Sequence, residues 1–301
     1  MLRLLKAGLF RLSRDLTFKI TLIVGVVVAF LFVLINAGFD YVYSQIENIM
    51  ASGEGAAESE ISAILNVPSH FLTGQSMLIG ALTPTGIYGI GVSINLVIFV
   101  VLEFNQGTIR NKIIGGHSKI KVYISLVISG LILAFLLMLF YTLFSALLGT
   151  LFGGFNLEEI VVTNLSNVGR IDINYIIQML IIAFFTYTTV VVFAILITSL
   201  FRSVGPSIAV ILAVLILLGF ISGIFSASSS LPSQLIPVQT GLKWFNPFYA
   251  IDDGSIVDSD TDTFNFIVEN STYIPCLISN VAYSIGLTAL GAFIFNRRDI
   301  K

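Results

Sequence analysis

The sequence predicts an all-α integral membrane protein with six transmembrane helices, and three observations carry that reading. Of 301 residues, 56% are hydrophobic and 11% charged, where a soluble domain carries roughly a quarter charged residues. The apolar residues gather into six runs, at 20–39, 79–102, 122–151, 175–200, 207–225 and 273–295. Each is long enough to cross a hydrocarbon core of about 30 Å. No run contains Asp, Glu, Lys, Arg or His, and thirteen of the fifteen Lys and Arg residues fall on one side of the resulting layout.

Residues 1–19 precede the first span. Leu4, Leu5, Leu9, Phe10 and Leu12 share this segment with Arg3, Lys6, Arg11 and Arg14, the mixture an interfacial amphipathic helix requires. No small-residue cleavage site follows, so the segment reads as retained and not as a signal peptide. The first run, ITLIVGVVVAFLFVLINAGF, and the third, from Val122 to Leu151, are uninterrupted. The second starts softly, with Pro84, Gly86, Gly89 and Gly91, and its outer half is expected to be kinked or irregular. Gly205 and Pro206 open the fifth run, where proline suits the first helical turn. Gly149 with Gly153, and Gly219 with Gly223, have the small-residue spacing that lets membrane helices approach closely. In a chain with 25 glycines helix packing is the expected role.

With the N-terminus inside, the cytoplasmic loops hold thirteen basic residues and the outer loops only Arg170 and Lys243. This positive-inside bias puts both termini in the cytoplasm of a cell-membrane protein. The outer loops at 40–78, 152–174 and 226–272 hold most of the acids. In the last, Leu235, Ile236, Val238, Leu242, Trp244, Phe245, Phe248 and Tyr249 are too apolar for a solvated linker. They predict either short interfacial or re-entrant helices or a small folded lid.

The loop between the second and third runs, 103–121, is short and basic. Thr108 to Ile114 can form about two helical turns, with Ile109 and Ile113 on one face and Arg110 on another. Gly107 before it and Gly115 and Gly116 after it permit sharp turns. Spacing alone leaves two readings, a compact knob presented to a soluble partner or a basic loop that fixes topology.

Glu103, Gly107, Thr108, Ile109, Arg110, Asn111 and Lys112 resemble the E-x(3)-G-T-[I/L]-R pattern after the second span of ABC-2 type permease subunits, the transmembrane components of ATP-binding cassette transporters. The six-span layout, the amphipathic N-terminal segment and the Asn246-Pro247-Phe248 motif before the last span are also similar to that family. The resemblance implies an elbow helix at 2–16 and a coupling helix at 104–117, and Ile113 completes the ATPase-coupling set with the residues of the pattern. It also implies re-entrant helices at about 228–250, whose Trp244, Phe245, Asn246, Pro247 and Phe248 would form an outer gate. It further implies a separate ATPase subunit as partner, carrying the ATP and magnesium, and a second permease copy or a related permease. A bacterial source follows from the same resemblance.

Other readings are constrained by what the chain lacks. No G-x(4)-G-K-[ST] phosphate loop occurs, so the chain is not expected to hydrolyse ATP itself or to be an enzyme; no cofactor of its own and no nucleic-acid partner are expected either. Cys276 is the single cysteine, and His70 and His117 lie in different loops, which supplies no metal site. An ion-coupled transporter or channel, or an intramembrane hydrolase, normally needs ionisable groups within the membrane. The runs offer hydroxyls and amides instead, among them Thr83, Ser93, Asn95, Ser125, Ser129, Thr186, Thr188, Thr189 and Ser284. The expected function is therefore export of a hydrophobic or amphipathic cargo, a peptide, lipid or drug, along an apolar path between the second and fifth spans of paired subunits.

Overall fold

The computed structural model describes residues 16–51, 73–82, 87–155, 160–164, 167–170, 173–226, 241, 245–246 and 270–297. The elements are α1 (Leu16–Ala51), α2 (Gly74–Leu82), α3 (Ile87–Asn105), α4 (Thr108–Ile114), α5 (Lys119–Gly153), β1 (Ile160–Asn164), β2 (Asn167–Arg170), α6 (Ile173–Phe201), α7 (Val204–Ser226) and α8 (Asn270–Arg297). Six of the helices, α1, α3, α5, α6, α7 and α8, are long and apolar enough to cross a membrane. The fold is that of a multi-pass membrane protein.

The six divide by burial. About 61% of the apolar windows of α3, α5 and α6 is buried, against 17–19% for α1, α7 and α8. The first three form the centre and the others lie against it. The peripheral helices turn apolar side chains outward, such as Val27, Phe30 and Leu34 on α1 and Ile216, Leu217 and Phe220 on α7. That arrangement suits a hydrocarbon surround, in which outward-facing apolar groups carry no penalty.

Helix bounds differ from the apolar runs where polarity alone was the guide. α1 has 36 residues and continues through Asp40 and Glu47 into the segment expected to be loop. Nothing in DYVYSQIENIMA is Gly or Pro, so no residue type there stops a helix. The run at 79–102 is occupied by two helices, α2 and α3, and Thr83–Gly86 lie outside the described residues. α2 begins earlier than the run, at Gly74, and is held to the end of α5, where the Gly74 N–H donates to the Gly154 carbonyl at 2.9 Å. The contact needs glycine at position 149 of α5. A Cβ there would stand 2.7 Å from the Thr73 carbonyl oxygen and 3.0 Å from the Gly74 Cα.

The fold is all-α apart from one short hairpin. β1 and β2 form an antiparallel hairpin in the loop after α5, with Ile160 opposite Arg170 and an irregularity between Val162 and Asn164. The β-branched run Ile160-Val161-Val162-Thr163 favours extended backbone, and Asn164 and Asn167 flank its turn.

Central packing is apolar with a few fixed polar bonds. Ser145 Oγ donates to the Tyr88 hydroxyl at 2.8 Å, joining α5 to α3. Several other intramembrane hydroxyls and amides bond back to their own helix: Ser93 to Gly89, Asn95 to Gly91, Thr186 to Ile182 and Thr188 to Phe184. Back-bonding of this kind satisfies the group without creating a polar path.

Candidate functional site

One end of the bundle gathers the close of α3, the start of α5, the α6–α7 turn and the close of α8. The Phe104 ring lies 6.2 Å from that of Phe295, and Tyr123 lies 5.4 Å from Phe295. The Arg202 guanidinium sits 5.5 Å from the centre of Phe104. Lys119 Nζ donates to the Asn296 carbonyl at 3.3 Å. Arg110, Lys121 and Arg297 are exposed here, so this end presents positive charge around an aromatic floor.

α4 projects from this end, with the bounds its spacing predicts. α3 stops because Gly107 takes a left-handed conformation (φ 68°), which glycine adopts without the Cβ penalty of other residues. The chain turns there and restarts at Thr108. Gly116, at φ 87°, ends the segment the same way.

A buried charge pins the restart. The Glu103 carboxylate, 2% exposed, accepts from Thr108 Oγ1 at 2.8 Å and from Lys112 Nζ at 3.0 Å. Thr108 Oγ1 also lies 2.7 Å from the Glu103 carbonyl oxygen, so its single proton is shared between two acceptors of one residue. A carboxylate removed from solvent is tolerable when paired and hydrogen-bonded. Ile109 is buried and Ile113 packs against the core beside it. Burying an isoleucine contributes about 2 kcal/mol. What α4 leaves outside is Arg110, Asn111 and Ile114, all exposed, with Ile114 at 73%.

The structure thus brings Glu103, Gly107, Thr108, Ile109, Lys112 and Ile113 into one anchored unit and leaves Arg110 and Asn111 on its free face. Of the residues expected at an outer gate, Trp244, Pro247 and Phe248 lie outside the described residues, as do 2–15 of the expected elbow segment 2–16, whose last residue, Leu16, opens α1, and nearly all of 228–250. The two that are described are fixed by their neighbours. The Tyr283 hydroxyl donates to the Phe245 carbonyl at 2.8 Å, and Asn246 Nδ2 donates to the Leu218 carbonyl at 3.1 Å. Asn246 is buried, whereas Phe245 as a whole residue is 72% exposed.

α3 and α7, the second and fifth spans, touch directly. Cavities open elsewhere. One of about 280 Å³ lies between α1 and α3 beside Tyr141, and one of about 220 Å³ lies between α6, α7 and α8 beside Phe245. Sequence reasoning passed over Asn280, fully buried on α8. Its Oδ1 accepts from Thr189 Oγ1 of α6 at 2.7 Å, and its Nδ2 donates to the Cys276 carbonyl at 2.9 Å. The available signal was an amide in a span whose partner helix carries Thr186 and Thr189.

Among the described residues no cluster of His, Cys, Asp or Glu could hold a metal ion. No protein-family model matches the chain, and no curated protein matches it either.

Proposed function

We propose that this chain is the permease subunit of an ATP-binding cassette exporter, moving a hydrophobic or amphipathic cargo out of the cell with energy from a separate ATPase subunit. The observation that carries the reading is α4. A seven-residue helix tied to the second span by Glu103, Thr108 and Lys112, with Arg110, Asn111 and Ile114 exposed on the opposite face, is built to be pushed as a unit. Motion of a docked partner would pass to α3 through the Glu103 junction. In this reading the basic end faces the cytoplasm, and thirteen basic residues against two across the layout support that orientation. The cargo class rests on the apolar, uncharged spans, and paired copies would complete the path.

The test is co-purification of tagged chain from its native membranes, with ATPase activity measured on the complex. Wild type recovers a nucleotide-hydrolysing subunit. Arg110→Ala weakens its retention while leaving membrane insertion and thermal stability unchanged, because the Arg110 side chain is exposed on the free face. Recovery of the chain without any ATPase, or full retention in the variant, refutes the assignment.

A further inference from the structure

We infer that the cavity between α6, α7 and α8, open on one side, binds a compact hydrocarbon group, of the size of an aromatic ring or the end of an alkyl chain. The inference concerns occupancy of the cavity and stands apart from the transport reading. The walls are Val190 and Phe193 on α6, Val214, Leu215 and Leu218 on α7, and Leu287 on α8, with Phe245 across one side. On each helix the lining residues fall within about one turn, which makes the space compact along the membrane normal at about 1.5 Å of rise per residue.

Its chemistry selects against water and against polar ligands. No charged side chain lines it. Both hydroxyls on the wall are committed. Thr189 Oγ1 bonds to Asn280 Oδ1, and the Tyr283 hydroxyl donates to the Phe245 carbonyl. An ordered water needs two to four polar partners, which the apolar walls of this space of about 220 Å³ do not supply. Left empty, its lining loses dispersion contacts that a hydrocarbon restores. The roof adds a consequence. Phe245 and Asn246 are tethered to α8 and α7 by the Tyr283 and Leu218 bonds, so an occupant touches the segment that carries the Asn246-Pro247-Phe248 motif.

The experiment uses the full chain in phosphatidylcholine vesicles with two photoreactive probes, free phenyl-diazirine and a phospholipid bearing a diazirine at its chain end. Labelled residues are mapped by mass spectrometry against dose. Labelling of Val214, Leu215 and Leu218 is expected to saturate, while Ile216, Leu217 and Phe220, exposed on the same helix, label in linear proportion to dose. Saturation by the lipid probe identifies a bilayer lipid as the source, and saturation by the free probe alone identifies a diffusible ligand. Val214→Phe, or Leu287→Phe from the opposite wall, fills the space and loses the saturable component, whereas Ile216→Phe on the outer face keeps it. Linear labelling of cavity residues in the wild type, or saturation that survives both filling variants, overturns the inference.

Discussion

Replacing Lys112 by Met, Glu103 by Gln, and both together isolates the junction between the second span and α4. Lys112→Met keeps the length of the side chain and removes the ammonium, leaving a carboxylate that is 2% exposed and still accepts from Thr108. A hydrogen bond to a charged group contributes about 1.5–3 kcal/mol. Because Lys112 is 17% exposed, water replaces part of the lost bond, which places the expected destabilisation at about 2 kcal/mol. Glu103→Gln removes the charge and keeps an acceptor for Thr108, so its expected cost is smaller, about 1 kcal/mol. If the pair interacts directly, the double variant is less destabilised than the sum of the two, with a coupling of about 1–2 kcal/mol, above the 0.5 kcal/mol scatter of independent sites. Unfolding in mixed detergent micelles at graded dodecyl sulfate supplies the four free energies. Additivity within that scatter refutes the view that the buried ion pair holds α4 to α3.

Three further outcomes follow from named contacts. Gly107→Ala costs about 1–2 kcal/mol through its left-handed backbone alone, since nothing lies within 4 Å of the added Cβ; Gly107→Asn, more tolerant of that conformation, costs less in the same titration. Gly149→Val, driving side-chain atoms against the backbone at Thr73 and Gly74, separates α2 from α5 at about 1–3 kcal/mol of overpacking, and protease cleavage near residue 73 should rise while cleavage at 103–121 stays constant. Asn280→Leu loses the α6–α8 bonds at about 1 kcal/mol, within the range for interhelical hydrogen bonds in membranes, and Asn280→Asp, adding a charge to the span, destabilises more; equal effects of the two would contradict the buried position of this side chain.

The spans were legible because twenty apolar residues in sequence have few places to be except a membrane. α4 was legible for a different reason, since Gly107 and Gly115-Gly116 bracket a short run whose isoleucines repeat at helical spacing. The Glu103–Lys112 pair was not, because nine positions separate the partners and only the reversal at Gly107 brings them together. Asn280 was hidden by its surroundings, as hydropathy averages over an amide that finds its donors and acceptors on a neighbouring helix. The continuation of α1 past Asp40 escaped because polarity there marks departure from the bilayer, which a helix does not need to end on. The hairpin escaped because the β-branched run before its turn spans few residues, and a short run at a membrane surface carries little weight beside six long ones.

At about 1.5 Å per residue, the 36 residues of α1 extend about 54 Å, while the hydrocarbon core is about 30 Å thick. Tilting cannot absorb the difference, since lying wholly inside would need an inclination beyond the roughly 40° limit of known spans. α1 is therefore a mast, part sunk in lipid and part standing clear. Its submerged length rests on Tyr141 of α5, seated where Gly25 leaves room. A rigid body pivoting near such a bearing would convert a small rocking of the submerged portion into a wider sweep of the tip beyond the hydrocarbon. A molecule grasping that tip would have leverage on the core of the bundle.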